Sequence, residues 1–329
     1  MIWLPKGKIE YDFHYNPEVK SWKDVKAIAQ QAEAAGFDMF TLTDHFYNMP
    51  DPRAKVPFGT ESHALDAWGL LAAVATCTEK IKIGTLVSCI MYRSTPMVLA
   101  KIATTVDIIS GGRLVLGFGA GWHEQDFKDF IGYFPSVKER VERFGESMAI
   151  IRGMVDNEEF SFEGKYYKFE NIRNSPSPVH GTIPLIIGAK GEKKTIRMAV
   201  KYADIIHFAY NEEDDVIKRR LDIIRDECKN IGRDFLEITP SIAISQLYNP
   251  NEKEIRYEAS YFVMNGWTWE KAINYVKSWP FTPEAAIERI NRYVDMGVRL
   301  ITMGGPAWTA LHLIREFKDK VRPKLRRQV

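Results

Sequence analysis

The sequence predicts an α/β fold of the (β/α)8 class, a TIM-like barrel with insertions. Two observations predict it. Short β-branched and apolar runs alternate with longer amphipathic stretches along the whole 329-residue chain, and eight such runs recur roughly every 40 residues, as in repeated βα units. We expect one domain over residues 1–329, because no interdomain linker, internal repeat or low-complexity run interrupts this alternation. A doubly wound parallel sheet is the alternative architecture.

Each predicted strand is a short run followed by a helical pattern. Residues 22–36 show that pattern clearly, because Val25, Ala29 and Ala32 share one helical face and Gly36 closes the helix. The eight predicted strands begin at Ile9, Met39, Lys82, Arg113, Pro184, Asp204, Ile238 and Arg299.

Two segments exceed a minimal barrel. Residues 160–184 contain a turn between alternating aromatic flanks and then a Pro/Ser/Asn-rich stretch, which predicts a hairpin and a loop. Residues 251–281 are charged at first and then rich in aromatic side chains. Such side chains pack into a core, or they cover the barrel mouth as a lid or form a subunit contact.

The charge balance and the cysteines exclude several classes of protein. Lys and Arg number 45 against 43 Asp and Glu, so the net charge of +2 offers no field for nucleic acid or an anionic membrane. The basic run at 318–327 is interpreted as a solvated tail. Three cysteines without C-x-x-C spacing argue against a disulfide framework and a zinc site. No stretch approaches about 18 consecutive apolar residues, so we expect a cytoplasmic protein.

The stretch GGRLVLGFGAGWHEQDF at 111–127 places glycines 117, 119 and 121 at the end of the fourth strand. A dinucleotide fingerprint needs its third glycine one place later, where this chain has Trp122. Two interpretations remain. The glycines remove side chains so that a flat ring or a phosphate can approach the backbone, or they fit the taper of the barrel.

Two further strand ends carry polar groups. Asp44 and His45 follow the second strand, on the face where barrel enzymes place their chemistry. After the fifth strand, glycines 188 and 191 precede a predicted helix with Lys193, Lys194 and Thr195 in its first turn. Free backbone N–H groups, a hydroxyl and the helix dipole suit a phosphate, whereas the alternative is a glycine turn with solvated lysines.

Several of these stretches together resemble one family. TDHF, IGTLV, YRSTPMVLAKIATTVDIISGGRLVLGFGAGWHEQDF, FEGKYY, PLIIGAKGEKKTIRMAVKYAD and TPEAAIERINRYVDMGV occur in the order typical of the luciferase-like monooxygenase superfamily, on the branch that uses the deazaflavin coenzyme F420. The resemblance covers nearly the whole chain and implies the bacterial-luciferase-like form of the TIM barrel. The glycine loop at 117–121 then lies beside a flavin-type ring.

The resemblance also implies roles for individual residues. Asp44 and His45 contact the coenzyme, a non-prolyl cis peptide falls at Leu86–Val87 behind the ring, and Ser88 is placed to hydrogen-bond the ring edge. Trp122 stands where sugar-phosphate dehydrogenases of the superfamily carry a glutamate proton donor, which puts that substrate class in doubt. The candidate catalytic residues are His45, Trp122 and Glu124, although the spacing of Glu124 also fits a solvated or helix-capping residue. The expected coenzyme contacts also include Gly119, Gly121, Trp122, Gln125, Gly188, Ala189, Lys190, Gly191, Lys193 and Thr195.

Three other histidines are ambiguous. His14 and His207 lie near the expected barrel mouth, as substrate contacts or packed core residues, and His123 follows Trp122. The resemblance predicts hydride transfer between coenzyme F420 and a small organic substrate, by a homodimer without a metal. The alternatives are an FMN-dependent monooxygenase and a non-catalytic relative that binds a flavin or deazaflavin. A metal-dependent hydrolase is disfavoured, because the first strand lacks an H-x-H pair.

Overall fold

The computed structural model describes residues 7–16, 21–47, 64–210, 212–245, 247–264, 266–279 and 281–325. Within these ranges the strands are β1 Glu10–Tyr15, β2 Met39–Leu42, β3 Lys82–Thr85, β4 Ser88–Cys89, β5 Leu114–Gly119, β6 Glu159–Glu163, β7 Lys168–Arg173, β8 Leu185–Gly188, β9 Ile205–Tyr210, β10 Thr239–Ser245 and β11 Leu300–Gly304.

The main sheet closes on itself. Its strand order is β3-β2-β1-β11-β10-β9-β8-β5-β4, and β3 also pairs with β5. The pairings within it are parallel. The predicted barrel is therefore confirmed, and closure excludes a doubly wound open sheet. All eight predicted strands are present, and the third is divided into β3 and β4 at Leu86–Val87.

Helices follow the strands, as the amphipathic pattern predicts. The Ser21 side chain caps the first helix, which buries Val25, Ile28, Ala29 and Ala32 against the barrel. The α-helices are α1 Trp22–Ala34, α2 Ala67–Cys77, α3 Pro96–Ile109, α4 Glu124–Asp126, α5 Val137–Asp156, α6 Thr195–Ala199, α7 Asp214–Ile231, α8 Glu252–Met264, α9 Trp269–Lys277, α10 Pro283–Met296 and α11 Ala310–Glu316.

Both predicted insertions have structure of their own. Strands β6 and β7 form the expected antiparallel hairpin. Helices α8 and α9 enclose a separate apolar cluster that includes Ala259, Ala272 and Trp279. Tyr257 of α8 accepts a 2.9 Å hydrogen bond from Asn16, which directly follows β1. The second insertion therefore contacts the edge of the barrel at which the strands end, and its role as a lid or a subunit contact stays a prediction.

A layer of apolar side chains fills the barrel interior below that edge. It consists of residues from five different strands, and Leu86 and Val87 pack against it. Its members are Met39, Val115, Ile186, Ile205 and Leu300. Such a layer makes the barrel a packed core and supplies a floor for any cavity above it.

As far as Leu325, the C-terminal basic run is not a solvated tail, and residues 326 and 327 of the predicted run lie outside the described residues. Residues Phe317–Val321 and Arg322–Lys324 form single helical turns, and Phe317, Val321 and Leu325 are buried. These apolar residues alternate with lysines and arginines, so one face of the segment packs against the barrel. The number of charges alone did not reveal this face. Cys77, Cys89 and Cys228 are unpaired thiols, the last two buried. Among the described helices, none is long and apolar enough to span a bilayer.

Candidate active site

One cavity of about 620 Å³ opens at the carboxyl ends of the barrel strands. The residues that line it include those predicted after β2, between β3 and β4, after β5 and after β8, so these four stretches do surround one space. Of the predicted site residues, the lining contains His14, Asp44, His45, Leu86, Val87, Ser88, Gly119, Gly121, Trp122, Gly188, Ala189, Lys190, Gly191, Thr195 and His207. The volume lies in the range of sites for small molecules and cofactors.

Val87 sits between two glycine-bearing strands in the cavity wall. The Leu86–Val87 peptide is cis, as the family resemblance implies. A Cβ atom on Gly119 would lie 3.0 Å from Val87 Cγ2, and one on Gly188 would lie 3.3 Å from the same atom. A Cβ on Gly117 would lie 1.8 Å from the Thr85 carbonyl oxygen. Gly117 therefore serves barrel packing, while Gly119 and Gly188 make room for the Val87 side chain.

Asp44 is the centre of a buried polar network. Its Oδ1 accepts a 2.7 Å hydrogen bond from Arg93 Nη2, and its Oδ2 accepts a 2.6 Å bond from the Ser88 hydroxyl. Ser88 in turn accepts a bond from Trp68 Nε1. Burial raises the pKa of Asp44, and Arg93 and Ser88 oppose that rise. Both carboxylate oxygens are thus engaged within the protein, and the Ser88 proton is directed at Asp44.

His45 is held by a carboxylate that sequence reasoning missed. His45 Nδ1 lies 2.6 Å from Asp126 Oδ2, and Asp126 is fully buried. An ionised carboxylate only accepts hydrogen bonds, so Nδ1 carries the proton and Nε2 is the remaining ring nitrogen. The His45 ring lines the cavity and makes an edge contact with Trp122 at 5.4 Å between centroids.

Two further groups converge on the same oxygen of Asp126. The Tyr92 hydroxyl donates to Oδ2 at 3.0 Å, and His123 Nδ1 lies 3.1 Å from it. Burial opposes ionisation, yet the rings of His123 and His45 hold the pKa of Asp126 well below its usual range. Asp126 is therefore a fixed negative charge that orients the His45 ring and lies beside the His123 ring.

The same three side chains have the composition of a metal site. Ligand atoms of His45, His123 and Asp126 lie within 4.8 Å of one another in the described part of the chain. In this arrangement, however, the carboxylate already serves as acceptor for His45. The expectation that the protein works without a metal stays a prediction.

The two remaining predicted groups after β5 face solvent. Glu124 forms an exposed ion pair with Lys128 at 2.7 Å, and Gln125 donates to Asp129. Neither belongs to the residues that line the cavity, so the solvated interpretation of Glu124 describes its placement. Trp122 lies at the cavity rim and is about half exposed at 49 %.

The predicted phosphate segment differs from its expected geometry. Helix α6 begins at Thr195, so Lys193 and Lys194 lie in the preceding turn and not in the first helical turn. The Thr195 hydroxyl accepts from the Gly191 N–H at 2.9 Å and donates to the Gly191 carbonyl at 3.0 Å. The two groups thus satisfy each other within the turn. Lys190 lines the cavity, whereas Lys193 is exposed and lies outside the lining residues.

His14 and His207 lie at the inner wall of the cavity as neutral side chains. Burial, together with His45, lowers the pKa of His14 to about 4, and burial with His14 and Lys190 lowers that of His207 to about 3. His14 contacts the hydroxyl of Thr41 through Nδ1 at 3.0 Å and that of Thr43 through Nε2 at 2.9 Å. Both ring nitrogens of His14 are therefore engaged.

Sequence reasoning also missed Tyr92, Arg93 and Asp12. Asp12 is buried in the barrel, where it accepts from Thr41 and Thr302, and burial raises its pKa to about 7. Its inward position follows from β1 alternation with His14 two residues later. Asp126 had one local signal, its spacing of three from His123, whereas its contact with His45 spans 81 residues.

Comparison with known proteins gives the family. The luciferase-like monooxygenase model matches residues 7–295. An F420-dependent glucose-6-phosphate dehydrogenase from Mycolicibacterium fortuitum is 26 % identical over 327 residues, which cover 93 % of this chain and 94 % of the relative.

Two solved structures share the fold, each with a TM-score of 0.79 and 19 % sequence identity. One is an F420-dependent secondary alcohol dehydrogenase in complex with an F420–acetone adduct, and the other is the F420-dependent tetrahydromethanopterin reductase from Methanopyrus kandleri. Each similarity covers 97 % of this chain and all of the other. Together with the family match over most of the chain, these results show that the chain belongs to the luciferase-like monooxygenase family.

Proposed function

We propose that this protein is an F420-dependent oxidoreductase that transfers a hydride between the deazaflavin and a small organic substrate. The observation that carries the proposal is a cavity with an apolar wall at Leu86–Val87 and an imidazole, His45, fixed by a buried carboxylate. The named activities of the relative and of both solved structures support F420 as the coenzyme.

The residues present fit a flat heterocycle with an anionic tail. Adding a Cβ at Gly119 would press on Val87, so the glycines keep this wall low and free of side chains. Lys190 is a cation in the lining, suited to a phosphate. Leu86 and Val87 would back the ring, His45 would contact its edge, and Lys190 would pair with its charged tail. When bound, the coenzyme supplies a reactive carbon that gives or takes a hydride.

His45 and Asp126 position the reactants. Because the Nδ1–H of His45 is committed to Asp126, its ring cannot rotate freely, and Nε2 has one orientation. A ring that is already oriented reduces the entropic cost of aligning the coenzyme and the substrate for hydride transfer. The apolar side chains of Val87, Phe144 and Phe208 around the cavity exclude water from the transfer.

We expect glucose 6-phosphate to be a poor substrate. Trp122 stands where the sugar-phosphate dehydrogenases of the superfamily carry a glutamate proton donor. Lys190 is the single Lys or Arg among the described lining residues, and the coenzyme tail and a sugar phosphate would both need it. Incubation of the protein with F420 and glucose 6-phosphate, followed at the absorbance of oxidised F420, should show no consumption of coenzyme. Rapid reduction of F420 would instead place this chain among the sugar-phosphate dehydrogenases.

The anionic tail of the coenzyme is tested through two lysines three residues apart. Lys190→Glu should weaken F420 binding about 10- to 150-fold, the scale of a lost charge-assisted contact of about 1.5 to 3 kcal/mol. Lys193→Glu is the matched control, because it makes the same charge change outside the cavity lining. Titration of F420 fluorescence measures both. A larger loss in Lys193→Glu would move the phosphate to residues 191–195, and Thr195→Ala would then weaken binding as well.

Domain organisation and assembly complete the proposal. The whole chain acts as one barrel domain with two insertions, and two copies form a homodimer. Light scattering coupled to size-exclusion chromatography tests the dimer, since a mass near twice 37.8 kDa supports it and a monomer mass contradicts it.

A further inference from the structure

Two buried carboxyl groups lie behind side chains that line the cavity, and their surroundings shift their pKa values in opposite directions. Asp126 is held ionised by the rings of His123 and His45. Glu258 of α8 is also buried, but burial raises its pKa to about 7, against hydrogen bonds with Tyr210 and Ser245. Pairs of acidic groups whose surroundings separate their pKa values mark the acid and the base of a site. Asp126 is the fixed anion, and Glu258 carries an exchangeable proton at neutral pH.

Glu258 reaches the cavity through one side chain. The Tyr210 hydroxyl lies 3.2 Å from Glu258 Oε2, and Tyr210, the last residue of β9, lines the cavity. Tyr210 has a hydroxyl that can accept one proton while it donates another. A protonated Glu258 can therefore donate to Tyr210 and leave the Tyr210 proton directed elsewhere.

The other candidates for proton transfer are less suited. Asp12 also has a raised pKa, but its chain of contacts runs through Thr41 to His14, whose ring nitrogens are both engaged. Trp122 has no acidic proton, and Glu124 pairs with Lys128 at the surface. Cys89 lines the cavity, but burial raises its pKa to about 12.

We propose that Tyr210 is the catalytic residue that delivers the proton to the substrate, with Glu258 as the buried proton store behind it. The inference rests on the proposed oxidoreductase function. In carbonyl reduction, the carbonyl carbon gains the hydride that the reduced coenzyme supplies, and the C=O π bond breaks. The oxygen takes the Tyr210 proton, Tyr210 takes the proton of Glu258, and Glu258 becomes a carboxylate. Alcohol oxidation runs through the same steps in reverse.

The pH dependence follows from the protonation of Glu258. Below pH 7 the carboxyl group is protonated, so carbonyl reduction should be fast and should slow as the pH rises through about 7. Alcohol oxidation needs the carboxylate, so its rate should rise over the same interval. The groups facing Glu258 that influence this ionisation are Tyr210 on β9 and Ser245 on β10.

The test combines turnover with a spectroscopic readout. Reduced F420 is assayed with acetone, butanal and 2-cyclohexenone between pH 5 and 9, for the wild type, Glu258→Gln and Tyr210→Phe. We expect Glu258→Gln to lose the inflection near pH 7. Both variants should slow reduction at least about tenfold at pH 6, because general acid catalysis contributes a factor of about 10² to 10⁴. Tyr275→Phe is the matched control. Tyr275 lies in the same insertion as Glu258 and donates to a carboxylate, Glu213, at 3.2 Å, but it does not line the cavity. Its pH profile should match the wild type.

Infrared spectroscopy of the protein alone separates the two proposals. The carboxylic-acid C=O band of Glu258 should disappear as the pH rises through about 7 and should be missing from Glu258→Gln at every pH. If the wild type shows no carboxylic-acid band that is lost in Glu258→Gln, the proposal that Glu258 stores a proton is contradicted, independently of the turnover results. If the pH profile of Glu258→Gln matches that of the wild type, the role of Glu258 in proton transfer is contradicted, while the proposed oxidoreductase function is not. A wild type that binds F420 but reduces none of the three probes contradicts the proposed function.

Discussion

Replacing His45 with alanine is expected to slow hydride transfer about 100-fold or more and to raise the dissociation constant of F420. The imidazole is a wall of the cavity, and misplacement of reactants by about 1 Å costs a factor of this size. Because His45 orients the ring while Tyr210 and Glu258 provide the proton, the pH optimum should not move. Stopped-flow absorbance of F420 with the best carbonyl probe measures the rate at several pH values.

Asp126→Asn should reproduce part of this loss. The amide keeps the shape of the side chain, but it removes the charge that holds His45 Nδ1 at 2.6 Å. Since the two residues act as one unit, His45→Ala combined with Asp126→Asn should be little slower than His45→Ala alone. Asp129→Asn is the control, because Asp129 accepts from Tyr47 and Gln125 one turn away at the surface. Additive effects of the two site variants would contradict the coupling.

Asp44→Asn should give the largest loss of stability among single substitutions at the cavity. It leaves Arg93, whose side chain is only 12 % exposed, without its buried carboxylate, and it disturbs the Ser88 hydrogen bond. Breaking a buried ion pair in this way costs about 3 to 5 kcal/mol of unfolding free energy. Urea denaturation followed by circular dichroism measures the difference.

Arg93 provides an internal control for that measurement. Arg93 also forms a 2.7 Å ion pair with Asp66, and the Asp66 side chain is 50 % exposed. Asp66→Asn should therefore cost no more than about 1 kcal/mol, as expected for a solvated pair. Equal losses in Asp44→Asn and Asp66→Asn would show that burial of the Asp44 pair does not determine its contribution.

The barrel was predictable because its signals are local and repeat. Each strand is a short apolar run followed by a helix with its own cap, as at Ser21, so eight similar units indicated the fold before any contact was known. The break in the third strand at Leu86–Val87 came only from the family resemblance. Residues 318–325 were misjudged because charge density hid the apolar positions Val321 and Leu325.

The site was predictable only in its strand-end residues. Asp44, His45 and the glycines lie directly after strands, so the barrel geometry brings them together. Their partners do not share that regularity. Asp126 and Arg93 lie on connecting segments, and Glu258 lies on an insertion, so their contacts depend on how those segments pack. The same limit explains Lys193, since the start of α6 at Thr195 places it outside the cavity lining.

Coenzyme preference tests the central claim most directly. The purified protein is titrated separately with F420, reduced F420, FMN and NADPH, and binding is measured by fluorescence quenching. We predict saturable binding of F420, weaker by at least tenfold in His45→Ala, with FMN and NADPH binding far more weakly. Tight FMN binding, negligible affinity for F420 and product formation that depends on oxygen would contradict the account and identify a flavin-dependent monooxygenase.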